Sequence, residues 1–168
     1  MATAAESPNP GVETFVGNRL HLLPGTALFG VYIIRSQSQP AFFRIGAAGM
    51  KGNVRNRLNC HSGGRPIRRK RPPNWTELFR PWRPIWVAHL VNGTPAGALC
   101  CERYLFAHFH PRFRIVSESG FEVAEEEAAT IAAAAEETVP ALQAIVLLQR
   151  GPLFEKERQT GTDWIAHY

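Results

Sequence analysis

Several residues in this chain belong to the types that handle protons, anions and cations, and their spacing brings them into register. Glu102 falls within the helical recurrence of Ala98, Cys101, Leu105 and Phe109. A carboxylate on such an apolar stripe is costly to bury unless it meets a cation or hydrogen-bond donors. Arg57 and His61 stand four residues apart and are neighbours on a helix. Tyr32 and Arg44 fall on the same face of two strand-like segments if Val31, Ile33, Phe43 and Ile45 point into the core. Each residue also has an ordinary structural explanation. Glu102 could close a salt bridge to one of many arginines, Tyr32 could be a packed strand aromatic, and Arg57 with His61 could line a solvated helix face.

The elements that must position these groups follow from the pattern. Phe29–Ile34 and Ala41–Ile45 read as antiparallel strands joined by the polar turn 36–40, with Gly46 closing the second. Asn53 is a good N-cap for a helix over Val54–His61, which Gly63-Gly64 ends. Pro84–Val91 reads as a third strand, closed by Asn92-Gly93. Thr94-Pro95 starts a helix that runs to about His110 and stops before Pro111. An Ala/Glu-rich helical segment near 121–138 follows, then another over Pro140–Gln149. The expected fold is therefore α/β in the α+β sense: a small, mainly antiparallel three-stranded sheet flanked by helices. Residues 1–12 are expected to be disordered, 13–123 to form the main domain, and 124–168 to form an acidic helical extension packed on it.

Between the first helix-forming segment and the third strand lies RPIRRKRPPN, residues 65–74, too basic and proline-rich for regular structure. Arg65, Arg68, Arg69, Lys70 and Arg71 can contact phosphates there, which gives affinity rather than sequence reading. Trp75 or Trp82 could stack on an exposed base, or pack on the sheet instead. The net charge of +5 conceals an asymmetry: residues 1–117 carry 16 Lys/Arg against 4 Asp/Glu, whereas 118–168 carry 3 against 10. Such a basic part attracts polyanions through long-range steering and counterion release. No apolar stretch is long enough to span a bilayer and no secretory pattern opens the chain, so no membrane is expected. Three cysteines, Cys60, Cys100 and Cys101, two of them adjacent, speak against a disulfide framework and for an intracellular, cytoplasmic location. A zinc site from these with His108 and His110 is disfavoured, since no CxxC pair is present.

Taken in order, these residues resemble the GIY-YIG nuclease superfamily. Gly30-Val31-Tyr32 stands for the first triplet and Arg44-Ile45-Gly46 for the second. Arg57 and His61 match the helix that follows, and Glu102 the glutamate of a later helix. The branch with a basic residue in place of the second tyrosine is closest, because Glu102, Leu105 and Phe109 fit its E-x-x-L-x-x-x-F helix. The resemblance spans roughly residues 28–123. It implies metal-dependent hydrolysis of phosphodiesters in DNA, with RNA as the other candidate polymer. It further implies that Glu102 holds Mg²⁺ or Mn²⁺, that Arg57 pairs with the scissile phosphate, and that Tyr32 orients or deprotonates water with help from His61. Arg44 is expected to grip phosphate and, as a cation on the face of Tyr32, to favour the phenolate. Two other readings stay open: a catalytically degenerate nucleic-acid-binding module on the same fold, and an interaction protein with a basic face.

Overall fold

Alternating apolar residues along two neighbouring segments build the centre of the sheet. β2 (Gly30–Ser36) and β3 (Phe42–Ala48) pair antiparallel, with Tyr32 opposite Gly46 and Ile34 opposite Arg44. Because the side-chain period is two, Tyr32, Ile34, Arg44 and Gly46 share one face, and Val31, Ile33, Phe43 and Ile45 share the other. The computed structural model describes residues 11–37, 42–49, 52–61, 82–109, 114–117, 120–122 and 127–148, with the backbone alone at 42, 114–117, 120–122, 127–128 and 145–148.

Around this pair the chain adds β1 (Val12–Val16), β4 (Trp82–Leu90), β5 (Arg114–Ser117) and β6 (Gly120–Glu122). Among the described residues the sheet therefore has six antiparallel strands in the order β1-β4-β2-β3-β6-β5, not three. The expected trio is its centre, β4-β2-β3. β1 is a fourth long strand whose half-polar sequence VETFV shows no clear alternation, and β5 and β6 are too short to betray a period. The N-terminal boundary moves too: Val12 is already paired with Leu90, and Gly11 accepts a hydrogen bond from Val91 N–H. Residues 1–10 lie outside the described residues.

β4 carries Pro84, which cannot donate to a ladder, and the register between β2 and β4 slips beside it, at Ile33/Ile34. The irregularity is tolerated because β1 pairs with β4 only from Trp86 onward. β3 is exposed in a different way. It pairs with β6 through Phe42 and Phe43 alone, so its outer edge beyond residue 43 has no strand partner among the described residues.

Both faces are covered. On the first, Val31, Ile33, Phe43, Ile45, Trp86, Ala88 and Leu90 meet α2 (Pro95–Phe109) through Ala98, Cys101, Leu105 and Phe109. The same core takes in Ile131, Ala132 and Ala135 from α3 (Glu127–Glu137) and Leu142 from α4 (Val139–Leu148). The C-terminal helices thus complete the main core, each buried Leu or Ile contributing about 1.5–3 kcal/mol. The helix expected from residue 121 starts at Glu127, because Gly120–Glu122 is taken up as β6. On the second face, Tyr32, Ile34, Trp82 and Val87 pack beneath α1 (Val54–His61), which contributes Val54 and Leu58. A 3-10 turn at Gly17–Leu22 leads into Leu23 and Ala27, which close the same cluster.

Gly30 lets α1 come this close. A Cβ there would stand 2.7 Å from the Ala88 carbonyl oxygen and 2.9 Å from Val54 Cγ2. Among the described residues no helix is long and apolar enough to cross a membrane.

Candidate active site

α1 presents its side chains to the second sheet face because its start is fixed twice. Val54 N–H donates to the Ala27 carbonyl, and the Asn53 side chain caps the helix by accepting from Asn56 N–H at 2.8 Å. Val54, Leu58 and His61 are then buried, while Arg57, one turn before His61, is exposed. His61 at the last position reaches down to Tyr32, their rings 5.4 Å apart between centroids.

Tyr32 is the centre of the arrangement. Its hydroxyl lies 2.8 Å from His61 Nε2 and accepts from Arg57 Nε at 3.3 Å. Since Arg57 is a donor only, His61 Nε2 is the atom in this set that can accept the phenol proton, in the tautomer that carries its own proton on Nδ1. The ring itself rests on Gly46. A Cβ at that position would fall inside the phenol, 2.5 Å from Tyr32 Cζ. Gly46 is therefore not the stop of its strand, as expected, but an interior residue directly across from Tyr32, left bare so that the ring can lie over it.

The electrostatics differ from expectation at the same residue. Burial raises the Tyr32 phenol above its ordinary value of 10.0, and the opposing pull of Arg57 and then Arg44 is smaller. Desolvation of a phenolate in a side chain only 1% exposed outweighs two nearby cations, so Tyr32 is held neutral rather than poised as an anion. Arg44 itself is half-buried on the Tyr32 face, and its burial lowers its pKa from the ordinary guanidinium range.

Glu102 approaches from the other side of the sheet. α2 begins with the Thr94 hydroxyl accepting from Gly97 N–H at 3.0 Å, which sets the rotation of its buried stripe. Glu102 sits at the margin of that stripe, half-buried, and reaches around the unpaired edge of β3, where Oε1 accepts from Ala47 N–H at 3.1 Å. Burial pushes its pKa up from 4.5 to about 7, against the lowering influence of Arg44, the Ala47 N–H and Arg57. Among the described residues no Lys or Arg comes within ion-pair distance of this carboxylate, and no donor serves Oε2. The salt-bridge explanation of Glu102 is thus not met there. A desolvated carboxylate with one oxygen fixed and the other unserved is a fitting holder for a hydrated divalent cation, which needs few protein ligands. No group of three or more His, Cys, Asp or Glu able to hold a metal occurs among the described residues.

The structure thus brings Tyr32, Arg57 and His61 into contact and sets Arg44 and Glu102 within electrostatic range of them. Other candidates separate from the site. Trp82 is fully buried among Ile34, Val87 and Leu58 and has no face to offer a base. None of the three cysteines is in a disulfide, and burial pushes the Cys101 thiol up to about 12, which leaves it inert. Arg65, Arg68, Arg69, Lys70, Arg71, Trp75 and His110 lie outside the described residues.

Two contributors escaped the sequence reading. The role of Gly46 as a bed for the ring had a signal, a glycine inside an otherwise apolar strand. The Ala47 N–H had none, because a backbone donor is invisible until the strand edge is known. Compared with protein-family models, curated proteins and solved structures, the chain matches none of them.

Proposed function

We propose that this chain is a divalent-metal-dependent endonuclease that hydrolyses phosphodiester bonds in DNA. The observation that carries the reading is the hydrogen-bonded set of His61 Nε2, Tyr32 Oη and Arg57 Nε beside a carboxylate with no ion-pair partner among the described residues. Arg57 is exposed and makes the longer bond, so an incoming phosphodiester draws its guanidinium outward and opens the Tyr32 hydroxyl. The guanidinium then pairs with the phosphate and offsets charge that develops in the transition state.

Tyr32 does not need to ionise. As a water attacks phosphorus, its proton passes to Tyr32 Oη while the phenol proton passes to His61 Nε2. The phenol stays neutral throughout and the imidazole takes the charge. Arg44 adds positive potential on the same face. Glu102 would hold Mg²⁺ or Mn²⁺, which when bound supplies Lewis-acid polarisation of the phosphate and stabilises the leaving oxygen.

The full burial of Tyr32 favours a second reading, a nucleic-acid-binding module that does not cleave. A plasmid-nicking assay with Mg²⁺ or Mn²⁺ on the wild type, Glu102→Ala and Tyr32→Phe separates the two. Metal-dependent nicking lost in both variants supports the enzyme. Tight DNA binding without nicking in either metal overturns it.

A further inference from the structure

We infer that the backbone N–H of Ala47 is a positioning group for Glu102, fixing Oε1 so that Oε2 is the oxygen left to take a divalent cation. The inference rests on the reading of Glu102 as a metal ligand. Its basis is the edge of β3. A strand inside a sheet spends its N–H groups on both neighbours, but among the described residues β3 has a strand partner on its outer side only at Phe42 and Phe43. At Ala47 no described strand claims that side, and its N–H donates instead to Glu102 Oε1 at 3.1 Å.

The contact links residues 55 positions apart, from elements that also share the core on the opposite face from Tyr32. It is the sole hydrogen bond to Glu102 among the described residues, so it is the contact that distinguishes Oε1 from Oε2. Gly46, one residue earlier, carries the Tyr32 ring on the other face. Consecutive residues of one strand therefore set both the phenol and the carboxylate, and the strand backbone fixes their separation. Outer partners of this kind hold metal ligands in their productive orientation, and their loss typically lowers metal affinity by about 10–100-fold.

The test deletes the N–H alone. Replacing Ala47 by lactate turns one amide into an ester and leaves the side chain unchanged; Ala47→Gly keeps the N–H and serves as the conservative control. Mn²⁺ affinity is measured by electron paramagnetic resonance on the metal-free full chain, alongside Glu102→Ala. The expected result is loss of the site in Glu102→Ala, an affinity about 10–100-fold lower in the ester, and wild-type affinity in Ala47→Gly. Loss in Glu102→Ala with an unchanged ester overturns the positioning role while leaving Glu102 a ligand. Unchanged binding in Glu102→Ala overturns the ligand reading itself. A measurement on the wild type does not depend on the folding of any variant: Mg²⁺ added during amide NMR should move the Ala47 N–H resonance along a saturating curve. An Ala47 resonance unmoved at saturation refutes the inference.

Discussion

Replacing Glu102 by Gln should stabilise the protein at pH 8 and change little at pH 4. The carboxyl binds its proton more tightly in the folded chain, near pH 7, than at its ordinary 4.5. Between those values the folded state carries the extra proton, so stability is complete below pH 4.5 and falls as pH rises through about 7. The interval from 4.5 to about 7, at about 1.36 kcal/mol per pH unit, comes to about 3 kcal/mol. This is a ceiling, because Glu102 is half-buried and water screens part of its charge. Gln keeps the oxygen that accepts from Ala47 N–H and removes only the charge. The gain at pH 8 should therefore reach a ceiling of about 6–12 °C in Tm for a chain of this length. Scanning calorimetry of both proteins at pH 4, 6 and 8 in EDTA measures it. Adding Mg²⁺ at ten times its Kd should then raise wild-type stability by about 1.4 kcal/mol and leave Glu102→Gln unmoved. Equal stability differences at pH 4 and pH 8 would refute the claim that the carboxylate is desolvated and uncompensated.

Gly46→Ala should lower stability by about 1–3 kcal/mol in urea melts and abolish cleavage, because the new Cβ displaces the Tyr32 ring. An unchanged melt would show that the ring does not lie there. Tyr32→Phe should keep the fold and lower the cleavage rate by about 10²–10⁴-fold, the range of a lost proton-transfer group, and His61→Ala should match it. Unequal losses in single-turnover assays would break the relay apart. Arg44→Ala should slow cleavage and raise the Glu102 pKa further, read by ¹³C NMR of the carboxyl, since Arg44 lowers it now. An unaltered rate and pH profile would remove Arg44 from the site. Trp82→Ala should cost about 3–5 kcal/mol of stability, while Trp82→Phe should retain DNA affinity. A folded Trp82→Phe that loses DNA affinity would place the indole on the nucleic acid.

Local chemistry made much of this protein legible from its residues. The alternation of Val31, Ile33, Phe43 and Ile45 was enough to put Tyr32 and Arg44 on one face, because a strand's period leaves no other choice. Asn53 and Thr94 marked the helix starts because a capping oxygen acts within three residues. The four-residue step from Arg57 to His61 placed both on α1, and the apolar stripe around Glu102 flagged its carboxylate.

What the tertiary structure alone decided depends on long-range neighbours. Strand number was hidden because β5 and β6 gain their identity from pairing with each other and with β3, not from their own four and three residues. Trp82 became core once β4 laid it beneath α1. The neutral state of Tyr32 followed from total burial, which outweighs the arginines that its sequence neighbourhood advertised. The meeting of Glu102 with the site depends on an open edge of β3 and a backbone N–H at Ala47. Side-chain type and period are written in the sequence. Desolvation and the partners of backbone groups exist only after distant segments have packed.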